Sequence, residues 1–135
     1  MVLGAGLVGM EAAEALCALG VKTAVIEMGD RVMPLQMDER CAGDYQRLFE
    51  AAGCSFYLKA RVSRVELSPD GYVKTAVLED GREIPCRGVV TAAGVAPQCR
   101  YCQDSTLAWD PRRGISVDEH LRTTDPDIYA AGDAV

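Results

Sequence analysis

The sequence lacks any surplus of positive charge: 14 Lys and Arg stand against 20 Asp and Glu in 135 residues, for a formal net charge of −6. Without spare cations there is no broad footprint for displacing counterions, so neither nucleic acid nor an anionic membrane surface is expected as a partner. Long hydrophobic runs are missing as well; none approaches the roughly 20 residues that cross a bilayer. Met1-Val2-Leu3-Gly4 shows no charged segment leading into an apolar one, and no signal peptide is expected. Repeats and low-complexity tracts are absent too. Histidine occurs once, and only one pair of cysteines is closely spaced.

What is there matches a globular average. Hydrophobic residues make up 49% and charged residues 25%, which excludes a disordered or collagen-like chain. The length suits one ordinary domain, able to hide roughly two-thirds of its unfolded surface. Cys17, Cys41 and Cys54 lie in or beside apolar segments, where a free thiol behaves as a small buried hydrophobe. A reducing, cytoplasmic setting follows from that usage. Cys99-Arg100-Tyr101-Cys102 has the spacing of a redox dithiol or half a zinc site. A zinc site takes about four ligands, and Cys86 and His120 would join only by accident of folding. The pair follows Pro97 in an aperiodic stretch, not a strand-to-helix junction. Incidental loop cysteines are the favoured reading.

The first forty residues read as strand, helix, strand. Val2-Leu3 is strand; Val8, Ala12, Ala15, Leu16 and Leu19 then share one predicted helical face. Gly20 is placed to cap that helix, and Val21 to Ile26 reads as a buried parallel strand. A second helix is predicted from Asp38 to Gly53, with Cys41, Tyr45, Leu48, Phe49 and Ala52 inward. Ser55 to Leu58 is a third strand. Val62 to Leu67 and Tyr72 to Leu78, with turns at Ser68-Pro69-Asp70-Gly71 and Asp80-Gly81, form an antiparallel meander that ends near Ile84. Gly88 to Gly94 is a small-residue run typical of a central strand whose end approaches a ligand or another backbone. Ile115 to Asp118 and Ile128 to Asp133 read as the last strands. The expected architecture is α/β: a Rossmann-like parallel sheet with flanking helices and an antiparallel β-meander crossover.

Gly4-Ala5-Gly6-Leu7-Val8-Gly9 has the spacing G-x-G-x-x-G. Glycine is common, so the match alone is weak. Here it follows strand residues, opens a helix and is followed about 20 residues later by Glu27, the context of a dinucleotide fingerprint. Gly4 permits a tight turn, Gly6 lets a pyrophosphate approach, and Gly9 lets helix and strand pack closely. Free N–H groups and the positive end of the helix dipole then face the phosphates. The bland alternatives are a glycine-rich turn that binds nothing and a solvated carboxylate at Glu27. A carboxylate there accepts ribose hydroxyls at roughly 1.5–3 kcal/mol per bond. It repels a 2′-phosphate by up to about 4 kcal/mol per charge pair. Arg31 stands nearby and would soften that repulsion, yet no cation directly follows Glu27, so NAD(H) is expected over NADP(H). Glu11 reads either as a favourable acid near a helix N-terminus or as a group reaching the redox end of the dinucleotide.

Gly4 to Ala13, with Glu27, Arg31, Pro34 and Asp38, resembles the NAD(P)H-binding domain of the FAD-dependent pyridine nucleotide-disulfide oxidoreductases. Asp80-Gly81 to Gly94-Val95-Ala96-Pro97 is similar to the motif that closes that domain. Gly114 to Glu119 and Thr124 to Asp133 are similar to the family's second flavin-binding motif. The resemblance implies that Gly4, Gly6, Leu7, Val8 and Gly9 hold the pyrophosphate of NAD, and Glu27 its adenosine ribose. It implies that Glu11 sits near nicotinamide or flavin, that Gly94 brings backbone to the nicotinamide side, and that Asp133 bonds the ribityl chain of FAD. The implied reaction passes hydride from NADH to FAD and on to a disulfide or other acceptor. The family's separate FAD domain, with its own glycine fingerprint and reactive cysteine, has no counterpart in these residues. The chain is therefore expected to be an internal piece: residues 1–97 an NAD(P)H-binding domain, residues 98–135 a strip of FAD domain, catalytically incomplete alone. An unpartnered apolar strip in 98–135 is a candidate surface for homodimers. Two alternatives stand beside this: a non-enzymatic nucleotide-sensing module with a redox-active or zinc-binding Cys99/Cys102 pair, and a flavin-dependent oxygenase relative, against which the Thr124-to-Asp133 motif counts.

Overall fold

The computed structural model describes residues 1–135, and its first strand, β1 (Val2–Leu3), leads through the glycine turn into α1 (Leu7–Ala18). β2 (Ala24–Ile26), α2 (Glu39–Ala51) and β3 (Ser55–Tyr57) follow. An antiparallel meander comes next, β4 (Val62–Leu67), β5 (Val73–Leu78) and β6 (Glu83–Pro85), and then β7 (Val90–Thr91). The parallel sheet has the order β3-β2-β1-β7 and the meander the order β4-β5-β6. Residues Met1–Gly94 make one compact unit and Val95–Val135 a second. No helix is long and apolar enough to cross a membrane. The α/β architecture with its meander is as expected.

Strand alternation divides the first unit into two cores. Val2 and Val25 join Met10, Ala13, Ala42 and Phe49 on the helical side. Ile26, with Leu3 and Ala24 against it, joins Ala76, Leu78 and Ile84 on the meander side. Side chains of period two on strands two and three residues long account for both faces.

The helix faces differ from expectation. Met10 and Ala13 are buried, whereas Val8 and Leu19 are 64% and 78% exposed. Only Glu11 and Glu14 are charged among the twelve residues of α1, so periodicity marks no face; the close seat of Gly9, described below, chooses it. On α2, Ala42 and Phe49 are buried, with Tyr45 edge-on to Phe49 at 5.0 Å and Phe56 edge-on to it at 6.3 Å. Cys41 is exposed and so is Leu48; the aromatic stack, not the wider apolar set, turns the helix. Asp38 caps α2 by accepting from Cys41 N–H at 2.8 Å, and that bond holds its carboxyl below the usual value. Cys54 is buried as expected; burial first, then the neighbouring Cys17 thiol, pushes it up to about 12. β2 begins at Ala24 rather than Val21, because Val21 is exposed and Thr23 Oγ1 folds back to donate to its carbonyl. β7 is the sheet's edge strand within this chain, not a central one.

In the second unit, β8 (Trp109–Asp110) pairs with β9 (Gly114–Ile115). Short 3-10 turns lie at Arg100–Cys102 and Gly132–Ala134. Residues 128–133 form no strand; a single bridge joins Arg122 and Tyr129. The Cys99/Cys102 pair, expected in a loop, is buried in this unit's core with Ile115 and flanked by Leu107, Trp109 and Val117. Aspartates shape the connecting loops. Asp110 accepts from the N–H groups of Arg112 (2.8 Å) and Arg113 (2.9 Å), Asp118 from those of His120 (2.8 Å) and Arg122 (3.0 Å).

Truncating Met10 to Ala is expected to cost about 2–5 kcal/mol in urea unfolding, and Val8→Ala within about 0.5 kcal/mol; equal losses would refute the face assignment. A second prediction concerns acid. The backbone donors hold Asp110 and Asp118 below 3.8, so their stabilisation is complete above that pH and is lost as pH falls through the lower folded values. Amide resonances of Arg112, Arg113, His120 and Arg122 should lose dispersion only in that acid window; a transition above pH 5 tied to Asp110 or Asp118 would contradict it.

Candidate nucleotide site

Three backbone groups pin the turn after β1. Gly4 N–H donates to the Ile26 carbonyl (2.8 Å), Ala5 N–H to Glu27 Oε2 (2.7 Å), and the Ala5 carbonyl accepts from Met33 N–H (2.8 Å). Gly4 has φ +100°, and a Cβ there would collide with the Ala92 carbonyl oxygen. At Gly9 a Cβ would collide with the Gly4 carbonyl oxygen. These two glycines are required by packing alone.

Gly6 is different. It holds extended backbone (φ −76°, ψ −174°) that any residue adopts, and a Cβ on it would meet nothing within 4 Å. Neither conformation nor internal packing calls for glycine, and its position leaves the outer side of the turn open. Gly6 is also the N-cap of α1 and offers no side-chain cap. The first-turn N–H groups, those of Leu7 and Val8 among them, have no intrahelical acceptor and stand at the positive end of the helix dipole. A cradle with uncapped donors and no side chain filling it suits a pyrophosphate.

Glu27 closes one side. It is half-buried at the end of β2; Oε2 accepts from Ala5 N–H and Oε1 from Gly29 N–H, each at 2.7 Å. Every carboxylate oxygen keeps a second lone-pair site, so hydroxyl donors can still be accepted. Arg31 bonds elsewhere: Nη1 meets Asp30 Oδ1 (3.0 Å), Nη2 meets the Pro34 carbonyl (3.3 Å), and the buried Nε has no partner. Glu11 is exposed on α1. Gly94 is exposed at φ +104° on the loop after β7. Asp133 is exposed on the 3-10 turn of the second unit.

The structure thus gathers Gly4, Gly6, Leu7, Val8, Gly9 and Glu27 at one bend. Three contributors were not singled out from the sequence. Ala92 supplies the carbonyl under Gly4, a role foreshadowed only by the small-residue run around it. Gly29 gives the second N–H to Glu27, and Met33, at φ +49°, reaches back to Ala5. No sequence signal marks Met33.

A parallel sheet with a glycine turn opening its first helix and an acid ending its second strand defines a Rossmann-type domain. Residues 1–135 match the family model described as pyridine nucleotide-disulphide oxidoreductase, and the chain belongs to that family. It is 32% identical to a rubredoxin-NAD(+) reductase of Pseudomonas putida over 98% of its length and 34% of the relative's. Among solved structures it is similar to a ferredoxin reductase from Rhodopseudomonas palustris, with TM-score 0.91 and 32% identity, covering 98% of this chain and 32% of that one. An NAD-dependent persulfide reductase from A. fulgidus has TM-score 0.88 and 37% identity, over 98% and 24% of the two chains. The chain spans about a third of the length of the curated relative.

The glycines should separate on mutation. Gly4→Ala and Gly9→Ala are expected to destabilise the fold by about 1–3 kcal/mol, because backbone must shift. Gly6→Ala should stay within about 1 kcal/mol yet block nucleotide binding. Urea unfolding alongside calorimetric titration checks this; an unaltered affinity in Gly6→Ala would refute the cradle.

Proposed function

We propose that residues 1–97 are the NAD(H)-binding domain of a cytoplasmic FAD-dependent oxidoreductase and that residues 98–135 belong to its FAD domain. The observation that carries the reading is the open cradle over Gly6, walled by a buried turn and an anchored Glu27. In such an enzyme NADH supplies a hydride that FAD accepts, and electrons pass on to a disulfide or another acceptor. The chain's own part is to bind and orient. First-turn N–H groups of α1 would take the pyrophosphate, and Glu27 the ribose hydroxyls of adenosine. Glu11 and the backbone at Gly94 would lie toward the nicotinamide, and Asp133 would accept from the ribityl chain of FAD.

Preference for NAD over NADP is supported by charge. A 2′-phosphate brought to the Glu27 carboxylate meets up to about 4 kcal/mol of repulsion per charge pair. Arg31 offers little relief, since its guanidinium is already turned to Asp30 and Pro34. The names of the relatives, a rubredoxin-NAD(+) reductase and an NAD-dependent persulfide reductase, accord with this. They also name different acceptors, which leaves the acceptor of the parent enzyme as a class.

Calorimetric titration with NADH and NADPH tests the proposal. NADH should bind more tightly; Glu27→Ala should weaken it about 10-fold or more, in line with the loss of one or two bonds to a charged group. Glu27→Arg should shift preference toward NADPH. Equal affinities in the parent sequence would refute the role of Glu27, and binding of neither would refute the site.

A further inference from the structure

The Cys99/Cys102 pair is not used by the nucleotide site, and its surroundings point to a chemistry of its own. Cys102 N–H donates to the Cys99 carbonyl at 2.9 Å, closing a 3-10 turn. Such a turn holds its end Cα atoms within about 7 Å, and side chains three apart on 3-10 backbone eclipse. A disulfide spans Cα atoms at roughly 4.4–6.8 Å. Both thiols lie in one core beside Ile115. No third metal-ligating side chain stands with them, so the arrangement suits a bridge between the two sulfurs better than an ion.

Cys99 is also tied to the Gly132–Ala134 turn. Its Sγ–H donates to the Ala134 carbonyl oxygen at 3.5 Å. The same oxygen lies over Gly114 on β9, where a Cβ would collide with it. One carbonyl is therefore held from two sides, by a glycine that leaves room for it and by a thiol that donates to it.

We propose that Cys99 and Cys102 are a reversible oxidation site whose state sets how firmly the Gly132–Ala134 turn is seated. Peroxide is the oxidant considered. One thiol gives up its proton as its sulfur attacks the peroxide; the O–O bond breaks, one oxygen stays on sulfur as a sulfenic acid and the other leaves with that proton as water. The second thiol's sulfur then attacks the sulfenic sulfur, the S–O bond breaks, and the hydroxyl leaves with the second thiol proton as a further water, completing the S–S bond. Two sulfurs are oxidised and one peroxide is reduced to two waters. The disulfide has no S–H, so the Ala134 carbonyl loses its donor and the turn loosens. Because both thiols are buried, oxidation proceeds through local opening, for which a unit built on two-residue strands is suited. The inference goes beyond the proposed function and does not depend on what Asp133 binds.

The test uses the 135-residue chain treated with hydrogen peroxide and mapped without reductant. Trypsin cuts after Arg100, so a bridge keeps peptides 88–100 and 101–112 joined until dithiothreitol is added. Amide exchange at residues 132–135 should quicken several-fold on oxidation and recover on reduction. Cys99→Ala should show the fast exchange without peroxide, and Cys102→Ser should never yield the joined peptides. Exposed Cys41 reports that the oxidant is active. Thiols at 99 and 102 that persist while Cys41 is modified would overturn the proposal, as would a bridge that leaves exchange unchanged.

Discussion

The close approach of three backbone segments at Gly4, Gly9 and Ala92 is the constraint on which the first unit depends. With no Cβ at Gly9, the first turn of α1 rests on the Gly4 carbonyl; with none at Gly4, the turn rests on Ala92 at the end of β7. The seat draws helix and sheet together closely enough for Met10 and Ala13 to enter the core beside Val2 and Val25. It also aims the uncapped N-terminus of α1 outward. One packing contact thus sets the helix rotation and, through it, the direction of the first-turn N–H groups proposed to meet phosphate.

Glu27 couples that seat to the second strand. Its carboxylate spans Ala5 N–H in the turn and Gly29 N–H beyond β2, so the group proposed to read the ribose is also a strut of the pocket. Bonds from N–H to a carboxylate are stronger than neutral ones. Acting as a strut does not exhaust the carboxylate, because each oxygen keeps a second acceptor site. Ile26, immediately before it, is anchored in the meander core with Leu78 and Ile84. The meander therefore contributes to the site by holding the strand end from which Glu27 projects.

Much of this was legible in the residues, for identifiable reasons. The glycine spacing and the acid after β2 are short-range covalent facts, and the turns at Ser68 to Gly71 and Asp80-Gly81 carry their own chemistry. The faces of the helices were not legible. α1 is apolar around most of its circumference, so the choice of face came from a contact with Gly4 that no periodicity encodes. Cys41 and Leu48 read as inward until the stack of Tyr45, Phe49 and Phe56 took the available space. Residues 98–135 were the least legible, because loops held by Asp side chains have no period to read.

That last contrast separates the two units physically. In the first, order comes from parallel pairing between residues far apart in sequence, Val2 with Val25 and with Val90, and from two cores that back the sheet on either side. In the second, most hydrogen bonds join near neighbours, from Asp110 to its following residues and from Asp118 to His120 and Arg122. Its long links are few: Cys99 to the Ala134 carbonyl, with Gly114 beneath the same oxygen, and the Thr124 hydroxyl to Ala108 and Thr106. A unit of local turns joined by a few such ties yields when one of them is lost, whereas a double-cored sheet distributes the loss of any one contact. The glycine turn is built on the second kind of structure and Asp133 on the first, so the site proposed to meet phosphates at fixed distance is the one with the more distributed support.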